Sequence, residues 1–119
     1  MKIILLGIPQ STNHIYKSHC RFGYPTVYMT KEGKDLKESY QWQAKSQWKQ
    51  KPSKRVFEIS VELYFKDKRR RDVDDYNKIL LDSLTGIVWS DDSQIWKITI
   101  TKFIDAKKPR IEVDITEVL

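Results

Sequence analysis

The sequence predicts an α/β (α+β) fold: a small mixed sheet of about four strands with two main helices, in the order β-α-β-α-β-β. Three observations predict it. Residues 56–65 alternate apolar and polar, the period of a strand. Within residues 31–49 apolar side chains recur about every four positions, the period of a helix face. A second helical stretch is followed by two further alternating stretches, so the helices must bury their apolar faces on one sheet. With 119 residues the chain is expected to form one domain, 1–119, with enough core to need no disulfide.

Taken in order, residues 2–8 are a short apolar run ended by Pro9, expected as a buried strand. Pro9 interrupts the run and no small-residue cleavage site follows, so a secretory signal is not expected. Residues 9–16 are polar, with Ser11, Thr12 and Asn13, and read as a loop. Residues 21–30 hold Gly23 and Pro25 between aromatics, a hairpin or an extended loop. Thr30 is a good N-cap for the first main helix, whose stripe is Leu36, Tyr40, Ala44 and Trp48. Gly33 in its first turn weakens it slightly.

In residues 56–65, Phe57, Ile59, Val61, Leu63 and Phe65 form the apolar row. Residues 72–84 turn helical, with Tyr76, Ile79, Leu80 and Leu84 on one face and Gly86 at the expected C-terminal cap. Residues 90–92 make a polar turn. The stretches 94–104 and 109–118 both alternate, and their short connection predicts an antiparallel hairpin.

Composition narrows the class. Hydrophobic residues make up 39% and charged residues 32%, which fits a globular protein and argues against a disordered one. Four glycines and four prolines exclude collagen-like and linker chains. The single cysteine, Cys20, allows no intrachain disulfide and suits a reducing compartment, so the expected location is the cytoplasm. No apolar run is long enough to span a membrane. The net charge of +6 points to an anionic partner, nucleic acid being the commonest. His14, His19 and Cys20 lack the second ligand pair of a zinc site. Trp42, Trp48, Trp89 and Trp96 could stack on bases but are better assigned to the core.

The informative segment is Arg69-Arg70-Arg71-Asp72-Val73-Asp74-Asp75-Tyr76-Asn77-Lys78. In extended backbone Asp72 and Asp74 project to one side, so their carboxylates converge. Converging carboxylates need an offsetting positive charge. Mg²⁺ takes one or two carboxylates together with waters and substrate phosphate. The alternative is that the acids cap the helix and pair with the three arginines. Asp91-Asp92 follows as a second acidic pair, either a further metal ligand or a plain polar turn. Lys78 lies one helical turn past Asp74. It is either its surface ion-pair partner or a cation beside a scissile phosphate. Asp75 and Asp82 are expected as exposed, solubilising residues.

Three blocks carry a resemblance: Pro9-Gln10-Ser11-Thr12-Asn13-His14-Ile15-Tyr16, the arginine-rich Asp72-Val73-Asp74 block with Lys78, and Trp89-Ser90-Asp91-Asp92-Ser93-Gln94-Ile95. In these blocks, their order and their spacing, the chain resembles the RusA family of Holliday junction resolvases. The resemblance implies an Mg²⁺-dependent homodimer that cuts four-way DNA junctions by paired symmetric nicks in recombination and repair. It implies a RusA-like fold and no small-molecule cofactor. It makes Asp72, Asp74 and Asp92 metal ligands and catalytic acids, and Lys78 a catalytic cation. Asp91 ranks below Asp92. Ser11, Asn13, Tyr16, Lys68, Arg69, Arg70 and Arg71 are then expected to contact DNA, within a basic surface that includes Lys66, Lys107 and Lys108. Where the family often carries Asn, this chain has Asp75. A homodimer agrees with the chemistry, because two matched nicks need two sites related by a two-fold axis. Two other readings remain: a non-catalytic basic nucleic-acid-binding module, and an Mg²⁺ nuclease for another branched or linear substrate.

Overall fold

The structure is a computed structural model that describes residues 1–21 and 23–118; Phe22 and Leu119, which fall within the expected 21–30 hairpin and the 1–119 domain, lie outside it. The elements are β1 (Lys2–Leu6), α1 (Thr12–Ile15), β2 (Tyr16–Arg21), β3 (Tyr24–Met29), α2 (Lys31–Gln47), β4 (Phe57–Phe65), α3 (Asn77–Leu84), β5 (Ile95–Ile104) and β6 (Arg110–Glu117). One-turn 3₁₀ helices at Val73–Tyr76 and Asp92–Gln94 precede α3 and β5. The expected mixed four-stranded sheet with two main helices is present. The sequence reading missed β2, its ribbon with β3, and the single turn α1 inside the expected loop at 9–16.

The sheet order is β1-β6-β4-β5, with β4 and β5 parallel and β6 antiparallel to both β4 and β1. The hairpin expected between β5 and β6 is therefore not formed, because β4 lies between them. The β4–α3–β5 crossover returns β5 parallel to β4, as a strand–helix–strand unit does. The connection after β5 then steps over the end of β4. Asp105 ties it down there: its amide donates to Phe65 O at 2.8 Å, and its carboxylate accepts from Arg110 at 2.8 Å.

Period two sorts one face of three strands into the core. Ile3 and Leu5, Phe57 to Phe65 at alternate positions, and Ile111, Val113 and Ile115 are all buried. Tyr40, Ala44 and Trp48 of α2 and Leu80 and Leu84 of α3 close over them. Thr30 caps α2 as expected, accepting from the Gly33 amide at 3.1 Å. The tryptophans divide: Trp48 and Trp89 are in the core, whereas Trp42 and Trp96 are exposed.

The two sheet edges differ. At β1, Gln47 accepts from the Ile4 amide and donates to its carbonyl, both at 2.7 Å, and Gln43 does the same for Leu6. These amides satisfy the groups that an edge strand leaves unpaired. β5 is the other edge, and its Trp96, Ile98 and Ile104 are exposed.

Candidate functional site

The arginine run is organised by an acid the sequence reading passed over. Asp67 accepts from Arg71 Nη2 at 2.8 Å and from the Arg69 amide at 3.1 Å, with Arg69 Nε at 3.4 Å. These bonds, the Arg69 amide first, hold its carboxyl below the usual range. Arg71 also lies over the Phe65 ring at 4.4 Å. Arg69 and Arg71 thus pair with Asp67, not with Asp72 or Asp74. Lys68, Arg69 and Arg70 stay exposed. A shallow cavity of about 210 Å³ opens here between Lys68, Arg69, Arg71 and Lys102.

Asp72 is extended (φ −93°, ψ 128°), but the backbone winds into the 3₁₀ turn at Val73. Asp74 is therefore not two residues along a strand from Asp72, as the sequence reading assumed. Burial of Tyr76 edge-on to Phe65, with ring centroids 5.1 Å apart, draws the chain inward here. Asp72 holds the N-cap position without a side-chain cap bond. Asp72, Asp74 and Asp92 are exposed, and among the described residues none of the three carboxylates has a hydrogen-bond or ion-pair partner. Of the capping alternative, the side-chain cap bond is not formed, whereas Asp74 and Asp92 do lie in the first turns of their 3₁₀ helices.

Lys78, at the head of α3, pairs forward with Asp82 at 3.4 Å rather than back with Asp74. Its ammonium lies 4.6 Å from the centre of the Tyr16 ring. The Tyr16 hydroxyl donates to Asp82 at 2.5 Å, and burial followed by this bond pushes the phenol well above its usual range. Asp82 is thus no solubilising surface acid; it holds Tyr16 and Lys78 together. Its i,i+4 spacing from Lys78 was the available signal. Thr12 adds a second tie, donating to Asp75 O at 2.7 Å. Ser11 and Asn13, at and just past the start of α1, are carried to the same place.

The third block forms a capping box. Asp91 accepts from the Ser93 amide and hydroxyl, while Gln94 Oε1 accepts from the Ser90 and Asp91 amides at 2.9 Å. Gln94 Nε2 reaches across to Ser53 O and Arg55 O at 2.8 and 2.7 Å. Asp91 and Gln94 are structural, which leaves Asp92 as the unoccupied acid of the turn.

The turn lies far from the other acids. Lys102 near the end of β5 donates to Arg71 O at 2.6 Å, whereas Asp92 precedes Ile95 at its start. The seven strand steps from Ile95 to Lys102 span roughly 23 Å. Two aromatic contacts agree: Tyr76 packs on Phe65 at one end of β4, and Trp89 on Phe57 at the other. Among the described residues no three His, Cys, Asp or Glu side chains come together as one ligand group. One chain brings the first two blocks together and holds the third apart.

Fold and site define a basic α+β protein with unpartnered acids set between an arginine run and an anchored lysine. Residues 7–116 match the family model described as Endodeoxyribonuclease RusA, and the chain belongs to that family. The proteins named Crossover junction endodeoxyribonuclease RusA from Escherichia coli (strain K12) and Shigella sonnei (strain Ss046) are each 38% identical to it over 60 residues, half of this chain and half of theirs. The protein of the same name from Enterobacteria phage 82 matches equally. The chain spans about half the length of the curated relatives it matches.

Proposed function

We propose that this protein is a crossover junction endodeoxyribonuclease: an Mg²⁺-dependent enzyme that acts as a homodimer on four-way DNA junctions, in the cytoplasm, in recombination and repair. The family match over residues 7–116, which spans all three blocks, carries the reading. The exposed, unpartnered carboxylates of Asp72 and Asp74 support it. Two such oxygen donors suit a hard cation that keeps waters and takes substrate phosphate. When bound, the cation supplies an acidified water and offsets charge on the attacked phosphate.

The remaining work falls to the chain's own groups. Lys78, held by Asp82 against Tyr16, presents a fixed ammonium to developing negative charge. Lys68, Arg69 and Arg70, braced by the Arg71–Asp67 pair, bind phosphates together with Lys66, Lys107 and Lys108 in a salt-dependent manner, and Ser11, Asn13 and Tyr16 contact the DNA beside them.

Asp92 joins this set only across a dimer. β5 is an open edge with exposed apolar side chains, the feature that invites strand pairing. Two β5 strands pairing antiparallel about a two-fold axis would lay the start of one beside the end of the other. Asp92 of one copy would then approach the Arg71–Lys102 end of its partner, and so the partner's Asp72 and Asp74. No helix among the described residues is long and apolar enough to cross a membrane.

The test is cleavage of a synthetic four-way junction and of a linear duplex of the same sequence, with Mg²⁺ or with chelator. Paired symmetric nicks only in the junction and only with Mg²⁺ are expected. Tight junction binding without cutting under any divalent metal would make the protein a binding module.

A further inference from the structure

Beyond Tyr16 at its root, the ribbon formed by β2 and β3 has no task in the site just described. It is a separate two-stranded sheet that pairs with no strand of the main sheet. From Lys17 to Tyr28 every described side chain is exposed, with Tyr24 at 75% and Tyr28 at 50%. A two-stranded ribbon alone in water is only marginally stable, so it calls for a partner.

Its two faces differ. Lys17 lies opposite Tyr28 and His19 opposite Thr26, and period two puts Tyr24 on the same side. That face carries cationic, aromatic and hydroxyl groups. The other carries Ser18, Cys20, Pro25 and Val27. The charge bias extends beyond the ribbon: all 16 Asp and Glu residues of the protein lie at or after Glu32. No carboxylate of its own stretch would meet an approaching polyanion.

The root of the ribbon fixes its place. Tyr16, the first residue of β2, is bound to Asp82 beside Lys78. At the base of β3, the Thr30 amide donates to Ile15 O at 2.8 Å. The ribbon therefore grows directly out of the acidic block and its lysine.

We propose that the β2–β3 ribbon is a DNA-gripping arm that lays its Lys17/His19/Tyr24/Thr26/Tyr28 face into the major groove of a duplex flanking the cleavage site. Six residues per strand give a ribbon roughly 20 Å long. The major groove, about 12 Å wide and 8.5 Å deep, admits such a ribbon. Lys17 meets backbone phosphate. Tyr24, Thr26 and Tyr28 supply hydroxyls for phosphate oxygens and base edges. The proposal rests on the nuclease reading, which it deepens by naming the element that holds the substrate arm.

Binding measured in chelator separates the two. The full chain is titrated against a fluorescent 20-base-pair duplex at several salt concentrations, and its melting midpoint is followed. The variant Lys17→Ala/Tyr28→Ala should bind about tenfold more weakly, with a salt slope shallower by about one, at an unchanged midpoint. Val27→Ser, on the opposite face, should bind as wild type. Should the double variant melt early, Lys17→Gln alone must still reduce the slope. Unchanged affinity and slope, or an equal loss from Val27→Ser, overturns the arm. Variants that bind and cut junctions like wild type sink the arm alone. A ribbon-dependent affinity in a protein that cuts nothing with Mg²⁺ upholds the arm and sinks the nuclease.

Discussion

At the scale of single residues, the partners of a carboxylate reveal its task. Asp91 and Asp92 are neighbours of the same type, and nothing in composition separates them. In the fold Asp91 is committed to Ser93, whose bonds hold its carboxyl below the usual range, while Asp92 has no partner. Asp74 resembles Asp92 in this respect. Asp74→Asn should therefore leave the thermal midpoint unchanged and reduce junction cleavage by more than about a hundredfold. Asp91→Ala removes a cap, so it should lower the midpoint and leave cleavage by the folded protein near wild type. Scanning calorimetry and the nicking assay, run on both variants, check the pair. Full activity in Asp74→Asn sinks the site assignment. Asp67 and Asp82 each have a partner four residues away, a spacing that the sequence carries without saying which neighbour is chosen. Each acts through a spatial partner, and for Asp82 the sequence reading looked back from Lys78 to Asp74 when the partner lay one turn ahead.

At the scale of elements, the legible parts were those whose side chains face one core. The β4 alternation and the α2 stripe are both as expected, because burial on one face writes its period into the sequence. Strand order left no such mark: β4 shows the same alternation whichever neighbours it has, so the β5–β6 hairpin was an error of connection. β2 was missed because both of its faces are exposed and no period marks it. Gly33 is another case where local preference misleads. A Cβ there would lie 2.6 Å from Ile15 Cγ2 and 2.9 Å from Ile15 O, so glycine is what lets α2 lie against α1. Helix propensity alone says Gly33→Ala should stabilise by about 1 kcal/mol. The contact reverses the sign, and a loss of about 1–3 kcal/mol is expected from overpacking. Urea denaturation decides it; a stabilised variant would mean that α1 and α2 do not meet as described.

At the scale of the whole molecule, charge sets the conditions for folding, and the proposed two-fold symmetry those for activity. Asp67, Asp91, Asp105 and Glu112 are held below the usual carboxylate range, Asp67 chiefly by the Arg69 amide, Asp91 by Ser93, and Asp105 and Glu112 by Arg110. Their stabilisation is present above the ordinary carboxylate pKa and is lost as pH falls through the lowered values. Tyr16 is raised by burial and Asp82, and Tyr64 is pushed up to about 12, chiefly by its bond to Glu62. Their contribution is present below the ordinary tyrosine pKa and is lost as pH rises through the raised values. Stability should be level between about pH 5 and pH 9 and fall on both sides, as denaturant midpoints against pH would show. In the proposed dimer, activity depends on an acid that the second copy supplies. The resemblance picked out Asp72, Asp74 and Asp92 as a set, but spacing in a sequence carries no distance, and the fold separates them by the length of β5. If the partner supplies Asp92, then Asp74→Asn and Asp92→Asn homodimers are each inactive. Their heterodimer combines the intact Asp72 and Asp74 of one copy with the intact Asp92 of the other, while its second site lacks both. Mixing the two dead variants should restore single-strand nicking of a junction without full resolution, and the nicking should scale with the heterodimer fraction. Sites built within one chain predict no activity in any mixture, so a silent mixture whose subunits are shown to exchange would remove Asp92 from the shared site.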